Sequence, residues 1–213
     1  MLNFPEELKE LFKKDNTSAE TRKSLRLIFF DDKSDSLYPA ENLYPEESLF
    51  PAEHGVPWLA IENDRIESES LSITETLSSS DDIEFGSCEA SKLEITVFDV
   101  VENLSGKEFM LVLKIGEHEL EMGYYTVESY VRQSNRRKRK ITAYDRMRKF
   151  NTDVSTWYND LTFPMTLKTF RNSLCEYIGV SQSSASLILD DMEISKTVEP
   201  SKLSGLDVIK AIC

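Results

Sequence analysis

The chain has 213 residues, 25 Lys and Arg against 38 Asp and Glu for a formal net charge of −13, and 40% hydrophobic residues. That length and apolar share suffice for one to two domains with a buried core, and no run approaches the ~18 apolar residues of a membrane-spanning helix. The acidic balance argues against general nucleic-acid binding, which needs clustered Lys and Arg. Three cysteines without metal-type spacing, Cys88, Cys175 and Cys213, point to free thiols and a reducing site of synthesis. The opening residues show no cationic segment followed by an apolar one, so no secretory leader is expected.

In chain order, Leu8, Leu11 and Phe12 recur at helical spacing between Pro5 and Asp15. Glu6 and Glu7 stand in the first turn and Lys13 and Lys14 in the last, an order that complements the helix dipole. A short strand, Ser24 to Phe30, follows. Residues 37–53 then repeat Leu-aromatic-Pro-x-Glu three times at a period of six, with Tyr38, Tyr44 and Phe50 as the aromatics. Each proline pushes the preceding aromatic to extended geometry and removes a ladder donor, which excludes a long helix and a central strand. Two readings fit: a surface insertion packed on its parent domain, or an arm that grips a neighbouring subunit.

From Ile66 to Asp145 the pattern is all strand. Apolar residues alternate at Leu71 and Ile73, at Leu93, Ile95 and Val97, and at Phe109, Leu111, Leu113 and Ile115. Leu120 and Met122 lead through Gly123 into Tyr124–Val131, and Lys140–Tyr144 closes the series. Turn residues at 78–82, 105–106 and 116–117 separate them. Strands in succession without helices predict an antiparallel small barrel or sandwich. The period then changes. Leu167, Phe170, Leu174 and Ile178 predict a helix over Thr166–Ile178 capped by Gly179. Ser186–Leu189 reads as a short strand, and Leu206, Ile209 and Ile212 as a terminal amphipathic helix. Because that helix runs to the last residue, the chain is expected to be the leading part of a longer protein. The predicted class is α+β, mainly β. Its parts are an N-terminal helix and first strand (1–30), a Pro-rich insertion (31–65), an antiparallel β-barrel domain (66–150) and a small α/β domain (151–213).

Charge is unevenly spread. Residues 31–128 hold 24 acidic and 5 basic side chains, while residues 132–149 hold 9 basic ones against Asp145 alone. The basic run contains Arg136, Arg137, Lys138, Arg139 and Lys140, in what reads as a single turn. It fits three readings: a solvated hairpin tip, a contact with an acidic surface such as that of an identical subunit, or a grip on phosphates. No aromatic platform for base stacking accompanies it. Chemistry-bearing residues are sparse. His54 and His118 have no neighbours at metal-ligand spacing, no histidine or helix start stands beside Cys88 to activate it, and seven isolated glycines build no phosphate cradle. No catalytic, metal-binding or cofactor-binding residues are predicted.

Three segments, Phe85–Glu94, Met122–Ser129 and Lys140–Met147, resemble in order and spacing the N-terminal part of tail hub proteins (baseplate hub or tail tip) from phages and prophages of Gram-positive bacteria. Pro5-Glu6-Glu7-Leu8 with Leu11-Phe12 resembles how many of them begin. The insertion at 37–53 departs from that pattern. The resemblance implies a structural virion component: a trimer whose barrel domains form a pseudo-sixfold ring, capping the tail tube and adapting it to a spike or fibre. Its partners would be the tube or distal tail protein and a spike, fibre or tape-measure protein, with DNA as cargo that passes without sticking, no membrane in the free state and no cofactor. On that basis part of the 31–128 negative charge is expected to line the channel, with Arg136–Lys140, Tyr38, Tyr44 and Phe50 as interface candidates. The other readings are the leading part of a tail-associated cell-wall hydrolase, and a host-glycan binding module with Tyr38, Tyr44 and Phe50 as the stacking platform.

Overall fold

A computed structural model describes residues 22–30, 57–75, 89–181, 186–196 and 198–212, together with Glu10 and Lys13. The predicted N-terminal helix apart from Glu10 and Lys13, the 37–53 repeats, His54, Cys88 and Cys213 lie outside these residues. The fold is mainly β. Seven strands form one sheet: β1 (Lys23–Phe30), β2 (Pro57–Ile61), β3 (Ser72–Thr74), β4 (Lys92–Phe98), β5 (Glu108–Ile115), β6 (His118–Arg132) and β7 (Lys138–Asp145). Their order is β2-β1-β5-β6-β7-β4-β3, and the pairs from β2 through to β4 are antiparallel. The described residues divide into two compact units. One comprises those up to Ile73 with Lys92–Asp145, and the other is built chiefly from Arg146 onward.

Two sequence expectations are corrected here. Residues 31–65 do not act wholly as an insertion, because Pro57–Ile61 pairs with β1 in register Leu27↔Ile61, Ile28↔Ala60 and Phe29↔Leu59. Nor does the first strand stand apart from the strands after Ile66, since β1 sits between β2 and β5. The physical reason is burial on both faces. Leu27 and Phe29 point to the main core opposite Leu111 and Phe109, while Ile28 lies opposite Met110 on the other face, and all are buried. A strand apolar on both sides belongs in the middle of a sheet. Phe109 anchors the core, with ring centroids 5.1 Å from Phe29 and 5.9 Å from Tyr125.

β6 is long because it is bulged. Pairing shifts register between Leu111 and Val112 of its β5 partner, where Gly123 and Glu121 are the successive mates. Gly123 takes φ +132° there, a backbone that L side chains avoid. A second shift falls between Val127 and Ser129 against β7. Each bulge adds twist and bends the strand, so one strand pairs with β5 along its first part and with β7 along its last.

The second unit holds α1 (Ser155–Asp160), β8 (Met165–Thr166), α2 (Leu167–Ile178), β9 (Glu193–Ile194) and α3 (Gly205–Ile212), entered through a 3-10 turn at Arg146–Asn151. Phe150, Val154, Trp157, Phe170, Leu174 and Val208 form its core. α2 has the ends that its sequence promises. The Thr166 hydroxyl accepts from Thr169 N–H at 3.3 Å, and Gly179 takes the left-handed conformation at φ 74°. The predicted strand at Ser186–Leu189 is instead exposed coil entering a turn, and the short strand comes later, at Glu193–Ile194, paired with β8. Leu187 to Leu189 are apolar but have no sheet to bury them.

Candidate functional site

The basic run does not sit in a single turn. Arg132 ends β6, Lys138, Arg139 and Lys140 begin β7, and only Gln133–Arg137 make the connection. That connection closes through backbone bonds Gln133 N–H to Lys138 O (3.0 Å) and Lys138 N–H to Asn135 O (2.9 Å). The Asn135 side chain also accepts from Arg137 N–H at 3.1 Å. An Asx turn of this kind is what Ser-Asn before a charged strand favours.

Most of these cations have partners on neighbouring segments. Arg137 Nε donates to Asp99 Oδ1 at 2.8 Å and its Nη2 to Asp99 Oδ2, a bidentate pair. Asp99 sits at φ 50°, donates its own N–H to Arg137 O at 3.0 Å, and accepts Arg65 Nη2 on its carbonyl at 3.1 Å. The Arg137 guanidinium holds the Asp99 carboxyl below the usual carboxylate range. Lys138 pairs with Glu67 and lies 5.3 Å from the Phe98 ring. Lys140 and Lys92 share Glu94 at 2.8 and 3.2 Å, and in that order they hold its carboxyl below the usual carboxylate range. The Arg139 guanidinium stacks 4.8 Å over Tyr130. Tyr130 in turn donates its hydroxyl to Val100 O at 3.0 Å, and burial pushes that phenol up.

The two exceptions stand at the tip. Arg132 Nε donates to the Arg136 carbonyl at 3.1 Å. The Arg136 side chain is exposed and makes no hydrogen bond or ion pair among the described residues. A cluster that reads as a strongly positive patch is therefore largely a set of internal clamps. They tie the β6–β7 connection to Asp99 after β4, and the start of β7 to Glu67 and Glu94. The sequence could not separate the two roles, because each anion lies some 38 to 71 positions from its cation.

Elsewhere the groups weighed for chemistry stand apart. His118 is exposed at the start of β6 opposite Ile115. Cys175 is buried in α2, and burial pushes its thiol up, away from the thiolate a nucleophile needs. An apolar cavity of about 400 Å³ opens in the first unit, lined by Lys23, Leu25, Asn63, Leu71, Leu113 and Met122. Tyr38, Tyr44 and Phe50 lie outside the described residues. What sequence reasoning missed is exposed apolar surface, at Val101, Val131 and, most of all, Leu187, Ile188 and Leu189. The signal was there: three aliphatics between Ser186 and Asp190 with no partner strand to alternate against. Compared with models of protein families and with the curated proteins, the chain matches none.

Proposed function

We propose that this chain is an assembly protein of a phage or phage-like tail tip, a hub that caps the tail tube and adapts it to a spike or fibre through β-rich surfaces. The observation that carries this reading is where the three hub-like segments fall. Lys92–Glu94 of the first lie in β4, Met122–Ser129 lie in β6, and Lys140–Asp145 of the third lie in β7. β6, β7 and β4 are consecutive neighbours in the sheet, with Thr126 opposite Tyr144 and Leu93 and Val127 both opposite Ala143. Segments scattered over some 60 positions of sequence thus become one continuous surface, as a shared architectural element would.

The seven strands form, in this reading, a small barrel. β2 ends at Ile61, and Ile66 bridges Val97 of β4 on the side away from β7, while Glu67 N–H donates to Thr96 O at 2.9 Å. In a flat sheet those two edges would stand six strand spacings, or about 29 Å, apart. Five residues reach at most about 18 Å, and Asn63–Arg65 spend part of that in a 3-10 turn. That short reach supports a sheet curled toward closure, in which the edges that invite aggregation are covered.

Virion location, trimeric assembly and the tube and spike partners follow from the hub reading, as does a channel partly lined by acidic residues that leaves DNA unbound. Labelling assembled particles with a gold-conjugated antibody to this chain tests it by electron microscopy. Label at one end of the tail is the expected result. Label absent from particles, or purified chain that clears peptidoglycan in a zymogram, would overturn it.

A further inference from the structure

The apolar cavity of the first unit lies where β1 begins. It measures about 400 Å³ and is lined by Leu25, Leu71, Leu113 and Met122, with Lys23 and Asn63 as polar neighbours. Leu25, Leu71 and Met122 belong to the edge of the main core, and they and Leu113 are only half-buried. Among the described residues, four large apolar side chains therefore face unfilled space, whereas an interior packs as densely as an organic crystal. A dry cavity of about 150 Å³ holds a benzene-sized guest, so this one has room for two or three large side chains.

The chain itself brings a candidate occupant to this place. Lys23, Ser24 and Leu25 open β1 and line the cavity, and the predicted amphipathic helix of residues 5–14 comes just before them. Its two described residues, Glu10 and Lys13, are helical, exposed and ion-paired at 2.9 Å, one turn apart. At about 100° per residue, Leu8, Leu11 and Phe12 fall on the side opposite that pair. A helix of about ten residues is marginal alone in water, so such a stripe needs a surface. Residues 15–21 span up to about 25 Å, enough to bring a helix about 15 Å long back over the cavity. Segments 31–56 and 76–88 fit less well. Residues 31–56 leave at Phe30 and return at Pro57, a pair at the far end of β1, about 23 Å from Lys23. Residues 76–88 return toward β4, whose Lys92 aligns through Tyr144 and Thr126 with Glu108, beside that same far end. Neither carries an apolar stripe at helical spacing.

We propose that Leu8, Leu11 and Phe12 of the N-terminal helix seat in this cavity of the same chain, with Glu10 and Lys13 left in water. The helix thereby completes the core at the end where β1 begins. The contact involves the first unit alone and does not require the tail-tip role.

Photo-crosslinking of the full chain tests it. With Phe12→p-benzoylphenylalanine, irradiation should join residue 12 to the cavity within one chain, and mass spectrometry should place the adduct at Leu25, Leu71, Leu113 or Met122. Adducts confined to other segments, or formed only between chains, would overturn the proposal. Met122 supplies a native reporter. Leu11→Asp and Phe12→Asp should each speed its oxidation by hydrogen peroxide roughly 10-fold, and Glu10→Ala, on the exposed face, should not. Met192, exposed in the second unit, sets the reference rate, while Met110, buried on the other face of the sheet, should stay protected as long as the sheet is intact. A Met122 rate unchanged in both Asp variants overturns the proposal. Where Met110 also oxidises faster, the sheet has opened and the cross-link decides. Equal binding of cis-parinaric acid by wild type and Phe12→Asp would overturn it in favour of a pocket that takes fatty ligands.

Discussion

Asp190 shows how one side chain fixes local structure through charge. Its carboxyl lies below the usual aspartate range, first because Leu187 N–H donates to it and then because Arg171 does. A depressed folded value means the charged form is favoured in the folded state. The contribution is therefore complete above the ~3.9 of a free aspartate and is lost as pH falls through the lower folded value. Asp190→Asn should lower the urea midpoint at pH 7 and shrink the fall in midpoint between pH 5 and pH 2 relative to wild type. An acid limb identical to that of wild type would mean that other carboxylates, Asp153 among them, carry that sensitivity. Gly205 makes the complementary point about space. A Cβ built there would stand 2.9 Å from Ile178 Cδ1 and 2.9 Å from the Phe150 carbonyl oxygen. The methyl end can move but the backbone oxygen cannot. Gly205→Ala should cost about 1–3 kcal/mol by overpacking, read as a shift in urea midpoint at unchanged slope.

Among the elements, those whose pattern repeats locally were legible and those that depend on distant partners were not. β4, β5, β7 and α2 were all foreshadowed, because alternation or 3–4 spacing with a cap is a property of the segment itself. Pro57–Ile61 was hidden. Proline at its start and its place beside a proline-rich run argue against a strand, and only the apolar edge of β1 makes it one. Ser186–Leu189 erred in the opposite direction: aliphatic content without a ladder to join. The candidate site was legible in composition and illegible in pairing, since nothing in residues 132–140 says that Asp99, Glu67 and Glu94 fold against them. Sheet integrity should depend most on the fully buried rings that span β1, β5 and β6. Phe109→Ala should cost about 3–5 kcal/mol, measured by urea denaturation of the full chain. A cost under 1 kcal/mol would show that the neighbouring Phe29 and Tyr125 collapse into the space.

On the scale of the whole molecule the ion pairs change which residues can serve as probes of assembly. Arg137→Glu would set a carboxylate against Asp99 and disturb the clamp itself, so a loss of association there would be ambiguous. Arg136→Glu alters a side chain that is free among the described residues. It should leave the urea midpoint within error, as exposed charges do, and lower association only if the tip of the β6–β7 connection meets a neighbour. Light scattering on matched concentrations checks this, and an unchanged mass removes that tip from any interface.

The bulged β6 has a mechanical consequence. It is hydrogen-bonded to β5 along one stretch and to β7 along the next, so a tug on its two ends loads those bonds side by side, in shear, instead of tearing them open one after another. Forced unfolding is governed by the unfolding rate. A strand yoked to different neighbours at each end resists traction along its own axis far better than it resists being peeled outward from Lys138. Under the proposed tail-tip role, that anisotropy suits a part carrying tension from one stacked protein to the next.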